Sequence, residues 1–432
     1  MNSGLSTKNA PSATVVLPHY MYSAAAFLLA SFMMFFSADD LTSSFIGPKI
    51  LGMAHMLVLG WVTMVIFGAL YQLIPVVMEV KLYSEKMTYV SFAGLGLGNI
   101  ILVSGFWQTY TTPSIFSTTG GILIVLAIIV FVANALLTAK TSPVKSTENN
   151  FIITSIFWLL LTVFFGLFIL LNIHYGFISI SPLDILKAHS AIGLMGWFMM
   201  LVMGVASTLL PMFFIVHDLN KKFIKASYYF TNIGLIIFVI SILFNISYWL
   251  NLAASLTIFI GIFLFARYNY DAYKRRLRKK LDIGMKLSVA SFTLLAVGIL
   301  SGILLGLAAE FFSDYIIPLS LVFGFSLILG FFTSLILGQM YKTLPFIIWL
   351  DKYQDKVGKF KIPLPADLYS EKVANGHYYS FIIAISLTII GLLISSSLII
   401  KIAAVAFIIT ALLYLYNTMR IILHKENLKP LK

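Results

Sequence analysis

The sequence predicts an all-α integral membrane protein with twelve transmembrane helices. Of its 432 residues, 60% are hydrophobic and only 10% are charged, with a mean hydropathy of +0.98. A soluble domain has about 25% charged residues, so this composition excludes a soluble enzyme, a disordered regulator and a nucleic-acid-binding module. Apolar runs of about 20 residues are interpreted as helices because an open strand cannot satisfy its backbone hydrogen bonds in lipid.

Twelve apolar runs follow one another along a chain that we expect to form a single membrane domain, 1–432. The first six predicted spans are 20–37, 50–78, 88–107, 117–139, 151–173 and 185–216. The second six are 226–245, 248–266, 286–308, 316–350, 378–396 and 398–421. The last two spans are one continuous apolar run, which we expect Ser395, Ser396 and Ser397, followed by Lys401, to break into a hairpin.

The distribution of charge predicts the orientation of these spans. With twelve spans, both termini lie on the same side as the loops that follow even-numbered spans, and that side has 25 Lys and Arg against 11 Asp and Glu. The opposite loops contain only three basic residues, Lys49, Lys187 and Lys401. By the positive-inside rule, the sequence predicts a multi-pass protein of the cell (plasma) membrane with both termini in the cytoplasm. The basic run 267–286 is interpreted as a topology determinant, with binding of anionic lipid or a partner as the alternative.

Three unusually long spans share one sequence pattern. A glycine is followed by an aromatic residue, a second glycine comes eight residues after the first, and a proline comes seven residues later. The pattern reads LGWVTMVIFGALYQLIP up to Pro75, MGWFMMLVMGVASTLLP up to Pro211 and LGFFTSLILGQMYKTLP up to Pro345. Glycines eight residues apart permit close helix contact, and a proline bends a helix. The spacing predicts three four-helix arcs related by a pseudo-threefold repeat, at about 1–140, 141–280 and 281–432.

Histidines are the candidate metal ligands, because the chain contains no cysteine. His55 and His189 lie inside long apolar spans, where a polar side chain needs a partner. A neutral imidazole binds haem iron or copper, and the structural alternative is a hydrogen bond to a neighbouring helix. His174, at the outer end of the fifth span, is a third candidate. The other histidines are expected at helix ends or beside basic loops on the cytoplasmic side, where they need no functional role. They are His19, His217, His377 and His424.

Four further side chains in the long spans have more than one interpretation each. Lys342 is the one cation inside a core span. It could serve a proton path, pair with a cofactor carboxylate, or extend to the cytoplasmic edge of the membrane. Trp61, Trp197 and Phe331 could stack on a porphyrin or pack between the arcs.

Twelve helices in three arcs, with a histidine entering the second span and another entering the sixth, resemble the catalytic subunit of haem–copper oxidases. The stretch AHMLVLGWVTMVIFGALYQLIP resembles the short relatives of cbb3-type oxidases and nitric oxide reductases, and the NnrS-type membrane haem proteins. The resemblance implies a low-spin haem with His55 as one ligand. The family's second ligand comes from an H-x-H pair in the tenth span, where this chain reads Phe323-Gly324-Phe325. The span 226–245 has no counterpart of the family's copper-binding histidine pair, and Gly193 stands where the family has a tyrosine.

The resemblance and its missing ligands leave three functions open. The first is an oxidase-like protein that binds haem or copper near the outer face in a respiratory, nitric-oxide-related or metal-handling role, without family-type oxygen reduction. The second is a membrane transporter or channel built on the same repeat. The third is an oxidoreductase with a different ligand set. The expected partners are the lipid bilayer and a respiratory-complex or assembly protein, and no nucleic acid.

Overall fold

The computed structural model describes residues 9–108, 114–143, 145–426 and 428–430. Residues 1–8 and 109–113 of the predicted first repeat lie outside this part. The prediction of an all-α protein with twelve apolar helices of membrane-spanning length is confirmed. The helices are α1 (Ala13–Phe36), α2 (Pro48–Val77), α3 (Glu85–Gln108), α4 (Ile115–Lys140), α5 (Thr147–Tyr175), α6 (Pro182–Phe214), α7 (Lys222–Leu243), α8 (Tyr248–Arg275), α9 (Ile283–Phe311), α10 (Ser313–Lys356), α11 (Glu371–Leu393) and α12 (Ser397–Ile422).

The helices form two compact units. The first unit contains α4 to α8 and most of α3, and the second contains α1, most of α2, the end of α3, and α9 to α12. In the first unit α7 packs along α8, and α5 packs against α4 and α6. In the second unit α12 packs against both α11 and α1, and α9 packs against α10. In the described residues, the two strands are short: β1 (Phe360–Lys361) pairs antiparallel with β2 (Lys429–Pro430) in the second unit.

The predicted hairpin break near residues 395–397 is confirmed. Helix α11 ends at Leu393, and Ser395 adopts a left-handed backbone conformation with φ of 51°. The hydroxyl oxygen of Ser396 then accepts the backbone N–H of Ile399 at 3.5 Å, which caps α12. A serine favours this position because its side chain satisfies a backbone donor that the first helical turn leaves unpaired.

Several helices extend beyond their predicted limits, because hydropathy marks the apolar part of a helix and not its ends. Helix α8 was predicted to end at residue 266 and continues to Arg275. Its added turns include an ion pair between Arg267 and Asp271, four residues apart on one helix face. Helices α1 and α11 begin at Ala13 and Glu371, seven residues before the predicted starts.

The three helices with the shared pattern are also the most buried. In their most apolar stretches, 67%, 72% and 78% of the residues of α2, α6 and α10 are buried, compared with 28–56% in the other nine described helices. Each of the three contains a π-helical segment, in which the backbone hydrogen bonds span five residues. The segments are Met56–Thr63, Ile192–Met199 and Ser326–Phe332.

The second glycine of the pattern contacts the preceding helix in all three cases. A Cβ atom on Gly204 would lie 2.6 Å from Cβ of Phe151 on α5. A Cβ atom on Gly338 would lie 2.5 Å from the backbone oxygen of Gly284 on α9, and one on Gly68 would lie 2.8 Å from Cβ of His19 on α1. A larger residue does not fit between these backbones, so the glycines set the distance between each long helix and its neighbour.

Candidate functional site

His55 is the last residue before the π-helical segment of α2, and its ring is half-buried. Its Nδ1 atom lies 2.8 Å from the backbone carbonyl oxygen of Leu51, one turn earlier. Because a carbonyl oxygen can only accept, Nδ1 carries the hydrogen and donates it, which leaves the lone pair of the neutral ring on Nε2. The ring of Phe106, at the end of α3, lies 5.2 Å away between centroids.

His189 lies on α6, three residues before its π-helical segment, and is also half-buried. Its Nδ1 atom lies 2.9 Å from the backbone carbonyl oxygen of Thr162 on α5. The ring fits against α5 because Gly166 has no side chain: a Cβ atom there would lie 3.0 Å from Cε1 of His189. As in His55, the bond to a carbonyl assigns the hydrogen to Nδ1 and the lone pair to Nε2.

His174 has a different environment, because it lies in the last turn of α5 and its side chain is exposed. Its ring is 4.5 Å from that of Tyr175, and Gly176, with φ of 66°, ends the helix directly afterwards.

The three candidate histidines occur singly and not as a metal-binding cluster. Among the described residues, no group of three or more histidine, aspartate or glutamate side chains could hold a metal ion. His55 lies in the second unit, whereas His174 and His189 lie in the first. One imidazole is enough to bind haem iron on one side, because the porphyrin supplies the other nitrogen ligands. A copper ion held by protein side chains alone needs several ligands together.

Trp61 is completely buried and packs against protein rings. Its indole N–H donates to the hydroxyl oxygen of Thr333 on α10 at 3.0 Å. Its ring stacks on Phe27 at 4.9 Å and meets the edge of Tyr414 at 5.3 Å. Trp197 is likewise buried, with the ring of Phe198 at 5.9 Å.

Lys342 forms an ion pair with Asp282, the residue that precedes the first turn of α9. The other carboxylate oxygen of Asp282 accepts the backbone N–H of Met285 at 3.1 Å. The carboxylate therefore caps α9 and also neutralises the ammonium group on α10.

Sequence reasoning missed two buried histidines, His19 and His377. Both were expected at helix ends or beside basic loops, whereas both side chains are fully inaccessible and lie within α1 and α11. His19 packs its ring 5.5 Å from Tyr71, and His377 places Nδ1 3.2 Å from the hydroxyl oxygen of Tyr341. The repeated pattern marks only their ring partners, since α2 and α10 have a tyrosine four residues before the proline where α6 has a serine, and it does not mark the histidines themselves.

Comparisons with known proteins agree with this architecture. No family model matches the chain. It is 29% identical over 305 residues to an uncharacterized protein of Aquifex aeolicus (strain VF5), covering 69% of this chain and 72% of that protein. Its structure is similar to that of a heme-copper terminal oxidase determined as a dimer by cryo-EM, with a TM-score of 0.60 and 12% sequence identity over 96% of this chain and 85% of the other. At this identity the similarity shows the fold alone: a twelve-helix membrane protein that resembles oxidase subunit I.

Proposed function

We propose that this chain is an oxidase-subunit-I-like membrane protein that binds haem near the outer face through Nε2 of His55. The main observation behind the proposal is the hydrogen bond from Nδ1 of His55 to the Leu51 carbonyl oxygen. Histidines that ligate metals commonly donate their other ring N–H to a carbonyl or carboxylate, which fixes the tautomer and the direction of the ring. The oxidase-like fold supports the same assignment.

The residues around His55 suit an axial haem ligand. The ring is half-buried beside Phe106, so the ligating nitrogen would be in an apolar and only partly hydrated environment. The backbone carbonyl of Leu51 orients the ring without adding a charge. Haem bound there would supply an iron atom able to exchange electrons or bind a small gas molecule. His189 has the same tautomer, fixed by its bond to Thr162, and is the alternative ligand. His174 is exposed and is the weakest of the three candidates.

The proposed role excludes the oxygen reduction carried out by the family. Neither α7 nor α10 contains a histidine, so the family's second haem ligand and its copper-binding pair have no counterpart there. Phe323 and Phe325, which occupy the corresponding positions in α10, offer no lone pair to a metal. A respiratory, nitric-oxide-related or metal-handling role is therefore proposed, with a respiratory or assembly protein as the partner. The charge distribution supports a plasma-membrane location with cytoplasmic termini.

We also propose that the membrane domain consists of three four-helix arcs, at about 1–140, 141–280 and 281–432. This repeat is supported by the three π-helical segments, each of which includes the first glycine and the aromatic residue of the pattern. It is further supported by the second glycine, which contacts the preceding helix in each arc.

The optical spectrum of the purified protein, titrated with haem, tests the function. The wild-type protein should develop a Soret band with a shape typical of ligation by nitrogen. His55→Ala should weaken haem binding by about tenfold or more, because the metal loses a protein ligand. His217→Ala, which changes an exposed histidine, is the matched control and should bind like wild type.

Two results would contradict the proposal. A wild-type spectrum that shows only free haem would exclude a haem site. A loss of binding in His189→Ala but not in His55→Ala would show that the ligand had been assigned to the wrong helix.

A further inference from the structure

A buried chain of hydrogen bonds in the second unit connects Ser370, Asn417, Tyr341 and His377. The backbone N–H of Ser370 donates to Oδ1 of Asn417 at 3.0 Å, which orients the amide of Asn417. Its Nδ2 atom therefore faces Tyr341 and donates to the phenol oxygen at 3.4 Å. The phenol oxygen also lies 3.2 Å from Nδ1 of His377, and it donates its hydrogen to that nitrogen when the imidazole carries its own hydrogen on Nε2.

In the tautomer with its hydrogen on Nε2, His377 is a base positioned for the proton of Tyr341. Nδ1 then has the lone pair that accepts the phenol hydrogen. No described residue accepts a hydrogen bond from Nε2, and the side chain is fully buried. The two atoms that would exchange the proton are within the distance at which positioned side chains transfer protons.

Aromatic rings connect this pair to two other regions of the unit. On one side the ring of Tyr341 lies 5.0 Å from that of Tyr369, a half-buried residue in the loop before α11. On the other side His377 lies 5.8 Å from Tyr414, which in turn lies 5.3 Å from Trp61. Tyrosine and tryptophan are the side chains most readily oxidised by one electron without a metal. Their close succession provides a short path for an electron from the loop to the middle of α2.

We propose that Tyr341 is a redox-active tyrosine and that His377 is its proton acceptor. Tyr341 gives one electron to a one-electron oxidant, by class an oxidised metal complex. Its O–H bond breaks as the proton moves to Nδ1 of His377, where an N–H bond forms. When an electron returns, the proton moves back and the phenol is restored. The proton stays within the pair, so no water is needed in this buried region.

This pair extends the proposed function, because it gives a bound metal group a route for single electrons. The proposal of a redox-active pair rests on the proposed haem binding only for the identity of the group that exchanges electrons with Tyr341 in the cell. The test below uses a light-generated oxidant and no haem, so a failure of haem binding and a failure of the tyrosine–histidine pair are distinguishable.

The chain provides a matched control in Tyr71. Tyr71 and Tyr341 both lie four residues before the proline of the pattern, and each packs against a buried histidine. The Nδ1 atom of His19 lies 3.1 Å from the backbone carbonyl oxygen of Val15, so this nitrogen donates a hydrogen and cannot accept one. Loss of the Tyr71 hydroxyl should therefore leave the redox behaviour unchanged.

The experiment oxidises the purified haem-free protein with a flash-generated ruthenium(III) polypyridyl complex. The chain has 21 tyrosines, so a brief treatment with ascorbate removes radicals on exposed rings before the sample is frozen. High-field electron paramagnetic resonance then records the remaining tyrosyl radical. We expect a persistent radical with the g-tensor of a hydrogen-bonded phenoxyl oxygen, formed more slowly in D2O. Tyr341→Phe should lose it and Tyr71→Phe should keep it.

A second variant separates the role of the base from folding. His377→Gln should shift the g-tensor and remove the D2O effect on the rate, while circular dichroism and gel filtration report whether the helices remain folded. The proposal would be overturned by the absence of a persistent radical in wild type, by its survival in Tyr341→Phe, or by an unchanged spectrum and isotope effect in folded His377→Gln.

Discussion

His55 in α2 and His189 in α6 precede corresponding π-helical segments, yet each is fixed in a different way. The imidazole of His55 donates to Leu51 in its own helix, so this hydrogen bond forms within α2. The imidazole of His189 donates to Thr162 in α5, so its orientation depends on how two helices pack. Similar sequence positions have therefore produced one locally fixed histidine and one histidine that joins two helices.

The spacing to the proline explains this difference. His55 lies 20 residues before Pro75, whereas His189 lies 22 residues before Pro211. In a regular helix of 3.6 residues per turn, a shift of two residues rotates a side chain by about 200° around the axis. The two rings consequently face different neighbours, which is why a repeat in the glycines and prolines does not imply a repeat in the ligands.

The largest expected difference in stability between α6 and α2 comes from replacing a glycine in each of these helices. In Gly196→Ala on α6, the new Cβ atom would lie 2.7 Å from Cγ of Trp158 on α5. The indole cannot easily retreat, because its Nε1 donates to Oδ1 of Asn232 at 2.9 Å. We expect a loss of about 1–3 kcal/mol in the free energy of unfolding, which is the usual cost of overpacking, measured by titration with SDS.

Gly52→Ala on α2 is the control for this effect. Its nearest contact would be 3.5 Å, from Cε of Met33, which is an ordinary van der Waals distance. Because alanine favours a helix by up to about 1 kcal/mol over glycine, this variant should be neutral or slightly stabilised. Equal destabilisation of both variants would mean that α2 and α6 are packed equally tightly at these glycines.

The difference between a contact within one helix and a contact between helices also separates what the sequence could predict from what it could not. The first ten helices were predictable because each is marked by its own apolar run, and the last two because serines near Ser395 break the run that they share. The burial of His19 and His377 was not, because it depends on which helices surround them. The partner of Lys342 is Asp282, 60 residues earlier, and no local pattern connects the two. Helix formation is local in the sequence, whereas the environment of a side chain is decided by packing.

A smaller difference in the free energy of unfolding is expected between variants that replace His189 and His55. The Nδ1 bond of His189 joins two helices and is lost when they separate, so His189→Leu should lower the free energy of unfolding by about 1 kcal/mol. The bond of His55 lies within one helical turn, which persists in the SDS-unfolded state. His55→Leu should therefore change this free energy by only a few tenths of a kcal/mol, because the bond is present before and after unfolding. The measurement uses haem-free protein, and equal losses would contradict the distinction.

The smallest change in the free energy of unfolding is expected from replacing Asp39 or Asp184, the acidic residues that precede His55 and His189. Asp39, in the loop before α2, accepts a hydrogen bond from Ser397 and pairs with Lys401 on α12 at 2.9 Å. The hydrogen bond from Ser397, followed by that from Lys401, lowers the pKa of this exposed carboxyl group. In the first turn of α6, Asp184 instead pairs with Lys187 three residues away on the same surface, at 2.9 Å.

The lowered pKa determines the sign of the pH dependence. A carboxyl group with a lower pKa in the folded state stabilises the protein above its unfolded pKa, about 3.9, and this stabilisation is lost as the pH falls through the folded value. Asp39→Asn should therefore be less stable than wild type at neutral pH, and the difference should disappear as the pH is lowered below about 4. Asp184→Asn should change the free energy of unfolding by no more than about 0.5 kcal/mol at neutral pH, as expected for a surface pair. A difference between wild type and Asp39→Asn that stays constant as the pH falls would show that the link from the α2 loop to α12 does not depend on the charge of Asp39.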